Sequence, residues 1–244
     1  MQDTSEGFTF IPLMSTLIDP GKVFVVIPAY NENAVIGSVI KELLPYNFRL
    51  IIVDDGSETA LYSLFEKSPV IILRHPVNLG QGAALQTGIE FALSKDANYI
   101  VTFDGDGQHQ ASDIDRLLEP LISNEADITL GSRFMEGSKH NMSNRRKITI
   151  KIARLINFFF TGLMLTDAYN GLRALNSKAA DAAQIQENGM AHATEFLARI
   201  KKYKLRYLEL PVTIRYTEYS RKKGLTVWNG FRIFFDILLN KIFK

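Results

Sequence analysis

Tyr99-Ile100-Val101-Thr102-Phe103 runs directly into Asp104-Gly105-Asp106. The first five residues are apolar and rich in β-branched side chains, as a strand buried on both faces requires. A glycine releases the chain where that strand ends. Two carboxylates at i and i+2 can then converge on one hard cation. Carboxylate oxygens suit Mg²⁺ or Mn²⁺, which in turn neutralise a diphosphate. The tripeptide alone fits an ordinary Asp-Gly turn equally well, so its surroundings decide.

Outward from this strand, the chain alternates strand and helix signals. Val23 to Ile27, Leu50 to Val53, Val70 to Leu73 and Asp127 to Leu130 read as strands. Helical stretches fall at Ala34 to Leu44, Thr59 to Lys67, Gln81 to Ser94 and Ala111 to Ser123. The pattern predicts an α/β fold, a mostly parallel sheet with helices on both faces. Ligands of such sheets bind beyond the carboxyl ends of the strands. The polar segments fall there: Pro28-Ala29-Tyr30-Asn31-Glu32, Asp54-Asp55-Gly56-Ser57, His75 to Gly82, and Asp104 to Gln108.

After Gly131 the pattern changes. Arg145 to Leu165 is amphipathic, with Lys147, Lys151, Arg154, Asn157 and Thr161 at helical spacing. An extended segment near Asn170 to Leu175 precedes helices at Ser177 to Gln184 and His192 to Lys202. Leu205 to Tyr216 reads as two strands around Pro211. A C-terminal amphipathic helix over 227–244 has Asn229, Arg232, Asp236 and Asn240 on a narrow polar face, opposite a wide apolar one. Without repeats or linkers, the 244 residues read as one domain with an N-terminal extension over 1–21.

A hydrophobic fraction of 46% supplies a core and argues against disorder. A net charge of +2 gives no reason to expect a nucleic-acid partner. The absence of cysteine excludes disulfides, thiolate metal sites and cysteine nucleophiles. Met1 to Pro20 lacks the pattern of a signal peptide, and no stretch of about 18 apolar residues appears. The expectation is a soluble or membrane-surface protein.

Taken singly, the motifs stay ambiguous. Asp54 and Asp55 can accept from a base imide or a ribose hydroxyl, or form a strand-ending Asx turn and cap. Asn78-Leu79-Gly80-Gln81-Gly82 sets two glycines before a helix, which permits close backbone approach to a ligand and favours negative charge there. Together, Val26 to Glu32, Val53 to Ser57, Asn78-Leu79-Gly80, Phe103 to His109 and Gly131-Ser132-Arg133-Phe134 resemble family-2 glycosyltransferases. The likeness is to those with the GT-A (Rossmann-like) fold, above all the dolichol-phosphate mannosyltransferase-like branch that acts on polyprenyl phosphates. Asp167 to Leu172 with Arg173, Glu195, Leu210-Pro211-Val212 and Ser220-Arg221 extend it. Where the family shows Gly-Phe-Arg, this chain has Gly171-Leu172-Arg173.

The resemblance implies roles. Pro28, Tyr30, Glu32 and Asp55 line the base and ribose site, with Asp54 in support. Asp104 faces the nucleotide or donor sugar, and Asp106 with Gln108 holds Mg²⁺ or Mn²⁺ on the diphosphate. Arg133, with Arg145, Arg146 and Thr149, receives the acceptor phosphate, or else Arg145-Arg146-Lys147 is only the solvated start of a helix and Arg133 is the better candidate. Arg221, in the basic loop Ser220 to Gly224, closes over the diphosphate or touches the acceptor phosphate, or the loop is simply a solvated charge run. Glu195 is either a general base for a hydroxyl acceptor or a carboxylate paired with a nearby arginine; His192 is structural. The catalytic set is then Asp104, Arg133 and Glu195.

The expected reaction is inverting, metal-dependent transfer from a nucleotide-diphospho sugar to a polyprenyl phosphate. The alternatives are transfer to a sugar hydroxyl of a glycan in cell-surface polysaccharide assembly, and a non-catalytic nucleotide-sugar-binding or membrane-recruitment module. The expected setting is cytoplasmic, peripheral on the cytoplasmic face of a membrane, with a small membrane-protein partner or a homo-oligomer.

Overall fold

The computed structural model describes residues 18–142 and 144–217. Their centre is a seven-stranded sheet in the order β3-β2-β1-β4-β7-β5-β8. β1 (Val23–Ala29), β2 (Arg49–Asp54), β3 (Val70–Arg74) and β4 (Tyr99–Thr102) pair in parallel, as do β5 (Ile128–Ser132) and β8 (Tyr207–Pro211). β7 (Arg173–Asn176) enters antiparallel between β4 and β5. A small parallel pair, β6 (Lys139–His140) and β9 (Thr213–Ile214), lies beside it.

Alternate residues of β1 point to opposite faces, so both faces are apolar. Val23, Val25 and Ile27 pack with Ile36, Val39 and Ile40 of α1 (Ile36–Leu43) and Leu117 and Leu118 of α3 (Asp113–Ile122). Phe24 and Val26 pack with Ala84 and Ile89 of α2 (Gln81–Leu93) and Phe196 of α6 (His192–Lys202). α2 presses on the sheet through Gly88, where a Cβ would lie 2.3 Å from Val26. The strand order reverses between β2-β1 and β1-β4, which opens a crevice at the carboxyl ends of β1 and β4.

Two expectations change. Thr59 to Lys67 forms only a 3₁₀ turn, Leu61–Leu64. The Leu61 amide is tied to the Asp54 carboxylate at 3.2 Å, and Leu61 and Phe65 alone of this stretch are buried in the core. In α4 (Asn144–Thr161) the C-terminal part of the polar row turns inward, while Lys151 stays exposed. Asn157 and Thr161 are buried, Asn157 Nδ2 donating to Thr161 Oγ1, while Ile148, Ile152, Leu155 and Phe159 face outward. Phe159 is 76% exposed. α4 packs on α6, and α5 (Ser177–Ala182) is capped by the Asn176 side chain. No helix among the described residues is long and apolar enough to cross a membrane. The expected helix over 227–244 and the extension over 1–17 lie outside the described residues.

Candidate active site

The turn after β4 is built around Asp104. The Thr102 hydroxyl donates to the Gly171 carbonyl at 2.7 Å, fastening strand end to the loop before β7. Gly171 then sits so close that a Cβ there would lie 2.2 Å from Asp104 Oδ2. Asp104 Oδ1 accepts from Gln81 Nε2 at 3.0 Å and Oδ2 from His109 Nε2 at 3.0 Å. Burial opposes its charge, but the hydrogen bond and charge of His109, with the charges of Arg173 and His192, hold the carboxyl below its ordinary value.

Asp106 behaves oppositely. Burial, and then the Asp104 charge, raise its carboxyl, although Gln108 donates to it from both backbone (3.0 Å) and side chain. The pair is thus one ionised carboxylate beside one that resists ionisation. A divalent cation fits this donor set, because it relieves the repulsion and binds oxygen. Among the described residues no cluster of three His, Asp or Glu could hold a metal. Two carboxylates suit an ion whose remaining ligands come from substrate phosphates.

The loops after β1 and β2 are laced together. Asn31, at φ +55°, donates its amide to Ser57 Oγ and accepts from the Glu58 amide. Asp54, fully buried, accepts from the Ser57 and Leu61 amides and from Arg74. That is the turn-and-cap arrangement, in a supporting position. Asp55 accepts from the Leu79 amide at 2.9 Å, the Gly80 amide at 2.8 Å and His75 Nδ1 at 2.7 Å. Its carboxylate therefore shapes the Asn78–Gly80 loop, and any contact with a nucleotide adds to those bonds. Pro28 lies within β1, Glu32 is buried, and Tyr30 exposes its ring at the rim.

The glycines before α2 serve a different approach from the one expected. A Cβ at Gly80 would lie 2.3 Å from the Asn188 carbonyl oxygen, and one at Gly82 would lie 1.9 Å from that of Glu187. The Gly82 amide already donates to Asn188 O at 2.8 Å. The close backbone neighbour is thus the chain's own loop before α6, which caps the helix.

Arg133, just past β5, is buried. Its backbone amide and Nε donate to Asp167 Oδ2 at 3.1 and 2.5 Å, Nη1 donates to the Tyr216 hydroxyl at 2.9 Å, and Nη2 donates to the Tyr169 carbonyl. Asp167 Oδ1 is buried with no hydrogen-bond partner among the described residues. Glu209 holds the Thr166 and Asp167 amides. Glu195 is placed as the paired carboxylate: Oε1 accepts from Arg199 at 2.9 and 3.2 Å, and Oε2 from the Gln186 and Glu187 amides. With both oxygens so engaged, a general-base role has no support in its geometry. His192 donates from Nδ1 to the Gly189 carbonyl at 2.8 Å, which fits its structural reading.

Arg145, Arg146 and Thr149 lie on α4 but their side chains are outside the described residues, as is Arg221 with its whole loop. The sequence reading assigned no role to His109 or Gln81, the two groups that hold Asp104. His109 stands five residues after Asp104 in the Phe103 to His109 stretch, whereas Gln81 reaches it only through the fold.

The glycosyl transferase family 2 model matches residues 24–182. A UDP-N-acetylglucosamine–dolichyl-phosphate N-acetylglucosaminyltransferase of Methanococcus voltae is 33% identical, over 91% of this chain and 97% of that protein. An undecaprenyl-phosphate mannosyltransferase of Micrococcus luteus is 28% identical, over 83% and 87%. Glucosyl-3-phosphoglycerate synthase of Mycobacterium tuberculosis, solved with Mn²⁺, UDP and glucosyl-3-phosphoglycerate, superposes with a TM-score of 0.69 at 17% identity, over 88% of this chain and 77% of that one. That likeness shows a shared GT-A fold.

Proposed function

The chain belongs to glycosyl transferase family 2 and is a glycosyltransferase, and we propose that it moves a sugar from a nucleotide-diphospho sugar to a polyprenyl phosphate with inversion at the anomeric carbon. The carrying observation is the meeting, on one rim, of the Asp104-Gly105-Asp106 turn with two buried guanidinium groups, Arg133 and Arg173. Paired carboxylates suit a metal; arginines suit phosphate, through paired donors. The rim offers both.

In this reading Asp106 and Gln108 hold Mg²⁺ or Mn²⁺, and Asp104 faces the donor. The ion, when bound, supplies Lewis-acid stabilisation of charge on the departing diphosphate. Tyr30, Glu32 and Pro28 border the nucleoside, and Asp54 and Asp55 set the loops around it. Arg133 positions the acceptor phosphate while Asp167 fixes its fork. An acceptor phosphate is already ionised and needs no strong base, which agrees with the engagement of Glu195. Catalysis then rests on positioning and electrostatics.

The acceptor chain is a membrane lipid, and the outward apolar row of α4 is suited to a lipid interface. Lys151, exposed beside Ile152, adds attraction for anionic headgroups. The test is purified protein with UDP- and GDP-sugars, polyprenyl phosphate and Mn²⁺ or Mg²⁺. Metal-dependent lipid-linked sugar of inverted anomeric configuration is the expected product. Transfer only to a free glycan, or full activity in a chelator, overturns the reading.

A further inference from the structure

Arg173 is a buried cation that no carboxylate neutralises by contact among the described residues. It opens β7, opposite Thr102 of β4 and Leu130 of β5. Those neighbours stand two residues before Asp104 and three before Arg133, so Arg173 occupies the seam between the two groups. It is only 5% exposed. Its guanidinium lies over the Phe196 ring, 4.5 Å from the centroid, and Nε donates to the Asn170 carbonyl at 3.1 Å. These contacts fix the plane of the fork. Neither terminal nitrogen has a hydrogen-bond partner among the described residues.

Arg133 makes the contrast. Equally buried, it is held by a carboxylate, a phenol and a carbonyl. Arg173 forms no ion pair among the described residues, although Asp104 and Asp167 are near enough to act on it through charge. A buried guanidinium with unmet donors is costly unless something supplies acceptors. Two rigid, adjacent N–H edges match phosphoryl oxygens.

We propose that Arg173 binds phosphoryl oxygen at the junction of donor and acceptor, an assignment that rests on the sugar-transfer reading above. Two sources share that chemistry: the diphosphate of the nucleotide and the phosphate of the lipid acceptor. Either would bring negative charge to the open edge of the fork. The residue is pre-oriented by Phe196 and Asn170, so little reorganisation accompanies binding.

Arg173→Met keeps the packing on Phe196 and removes the charge; Arg173→Lys keeps the charge and removes the fork. Calorimetry with UDP and with GDP, each with Mn²⁺, reads the donor side. Steady-state KM for polyprenyl phosphate reads the acceptor side, using whichever nucleotide sugar the wild type turns over. Thermal melting without ligand reports the fold.

The expected result is an Arg173→Met protein that melts no lower than wild type, because an unpaired buried charge has gone. It should lose at least about tenfold in nucleotide affinity, or gain at least about tenfold in acceptor KM, with partial recovery in Arg173→Lys. The first loss assigns the diphosphate, the second the acceptor phosphate. Unchanged nucleotide affinity with unchanged acceptor KM and kcat overturns the proposal at any melting temperature. So does a loss that accompanies a lower melting temperature and that Arg173→Lys does not recover. A wild type that neither binds a nucleotide nor transfers sugar overturns the proposed function, and this assignment with it.

Discussion

Arg133 reaches a single oxygen of Asp167 twice, from its backbone amide at 3.1 Å and from Nε at 2.5 Å. One carboxylate thereby fixes both the strand end after β5 and the orientation of the fork. Asp167→Ala leaves that guanidinium buried without its counter-ion and should cost about 3–5 kcal/mol in urea denaturation. The double variant Arg133→Met/Asp167→Leu should recover most of the stability and none of the sugar transfer.

Asp106→Ala should reduce sugar transfer by at least about a hundredfold. Its melting temperature without metal should hold or rise, since burial and the Asp104 charge already oppose the Asp106 carboxylate. Mn²⁺ with nucleotide should raise the melting temperature of the wild type and leave that of the variant unmoved.

Glu195→Gln tests whether this carboxylate is a brace or a base. Losing the charge that holds Arg199 and two loop amides should cost about 1–3 kcal/mol of stability. Turnover at a temperature where the variant is folded should fall less than about tenfold. A general base would cost about 10²–10⁴-fold.

His192 sets an acid limit. Burial, and then the Arg173 charge, push its imidazole down to about 4, whereas in the unfolded chain it titrates near about 6.5. Between those values the unfolded chain binds a proton that the folded chain refuses. Stability present above about pH 6.5 is therefore lost as pH falls through the folded value, by about 3 kcal/mol near pH 4. Denaturation profiles should show that dependence flattened in His192→Gln.

Ile152→Glu/Phe159→Glu places two charges on the outward row of α4. Stability should change little, since both side chains are exposed, each substitution being worth within about 0.5 kcal/mol. Co-flotation with vesicles containing anionic lipid should be lost. Retained flotation would move the lipid contact elsewhere on the chain.

The parallel half of the sheet was legible because each strand is a short apolar run closed by polar residues, as in Leu50-Ile51-Ile52-Val53-Asp54-Asp55. β7 was legible only as an extended segment: Arg173-Ala174-Leu175-Asn176 carries no mark of antiparallel pairing between β4 and β5. The α4 periodicity was visible, but its direction was not. A 3.6-residue repeat separates two faces without saying which one meets the protein, and here Asn157 and Thr161 bond each other inside. Asp104 and Asp106 stand out by spacing, with His109 in the same stretch, whereas Gln81 and Arg173 join them through folding. Glu195 was ambiguous because a carboxylate four residues before an arginine fits a helix pair as well as a catalyst.

β7 has an evolutionary reading. Among the described residues it is the strand through which β4 and β5 are joined in the sheet. On one side of that seam in space, though not in chain order, stand β1 to β4 and the Asp104 turn; Arg133 after β5, its partner Asp167, and Glu209 of β8 stand on the other, far side. A lineage can therefore revise the far side, or exchange it wholesale, while inheriting the near side intact. Chimaeras joined between α3 and β5, which keep the Asp104 turn on one segment and Arg133, Asp167 and Glu209 on the other, are the natural place to ask whether new acceptors arise by grafting rather than by gradual substitution.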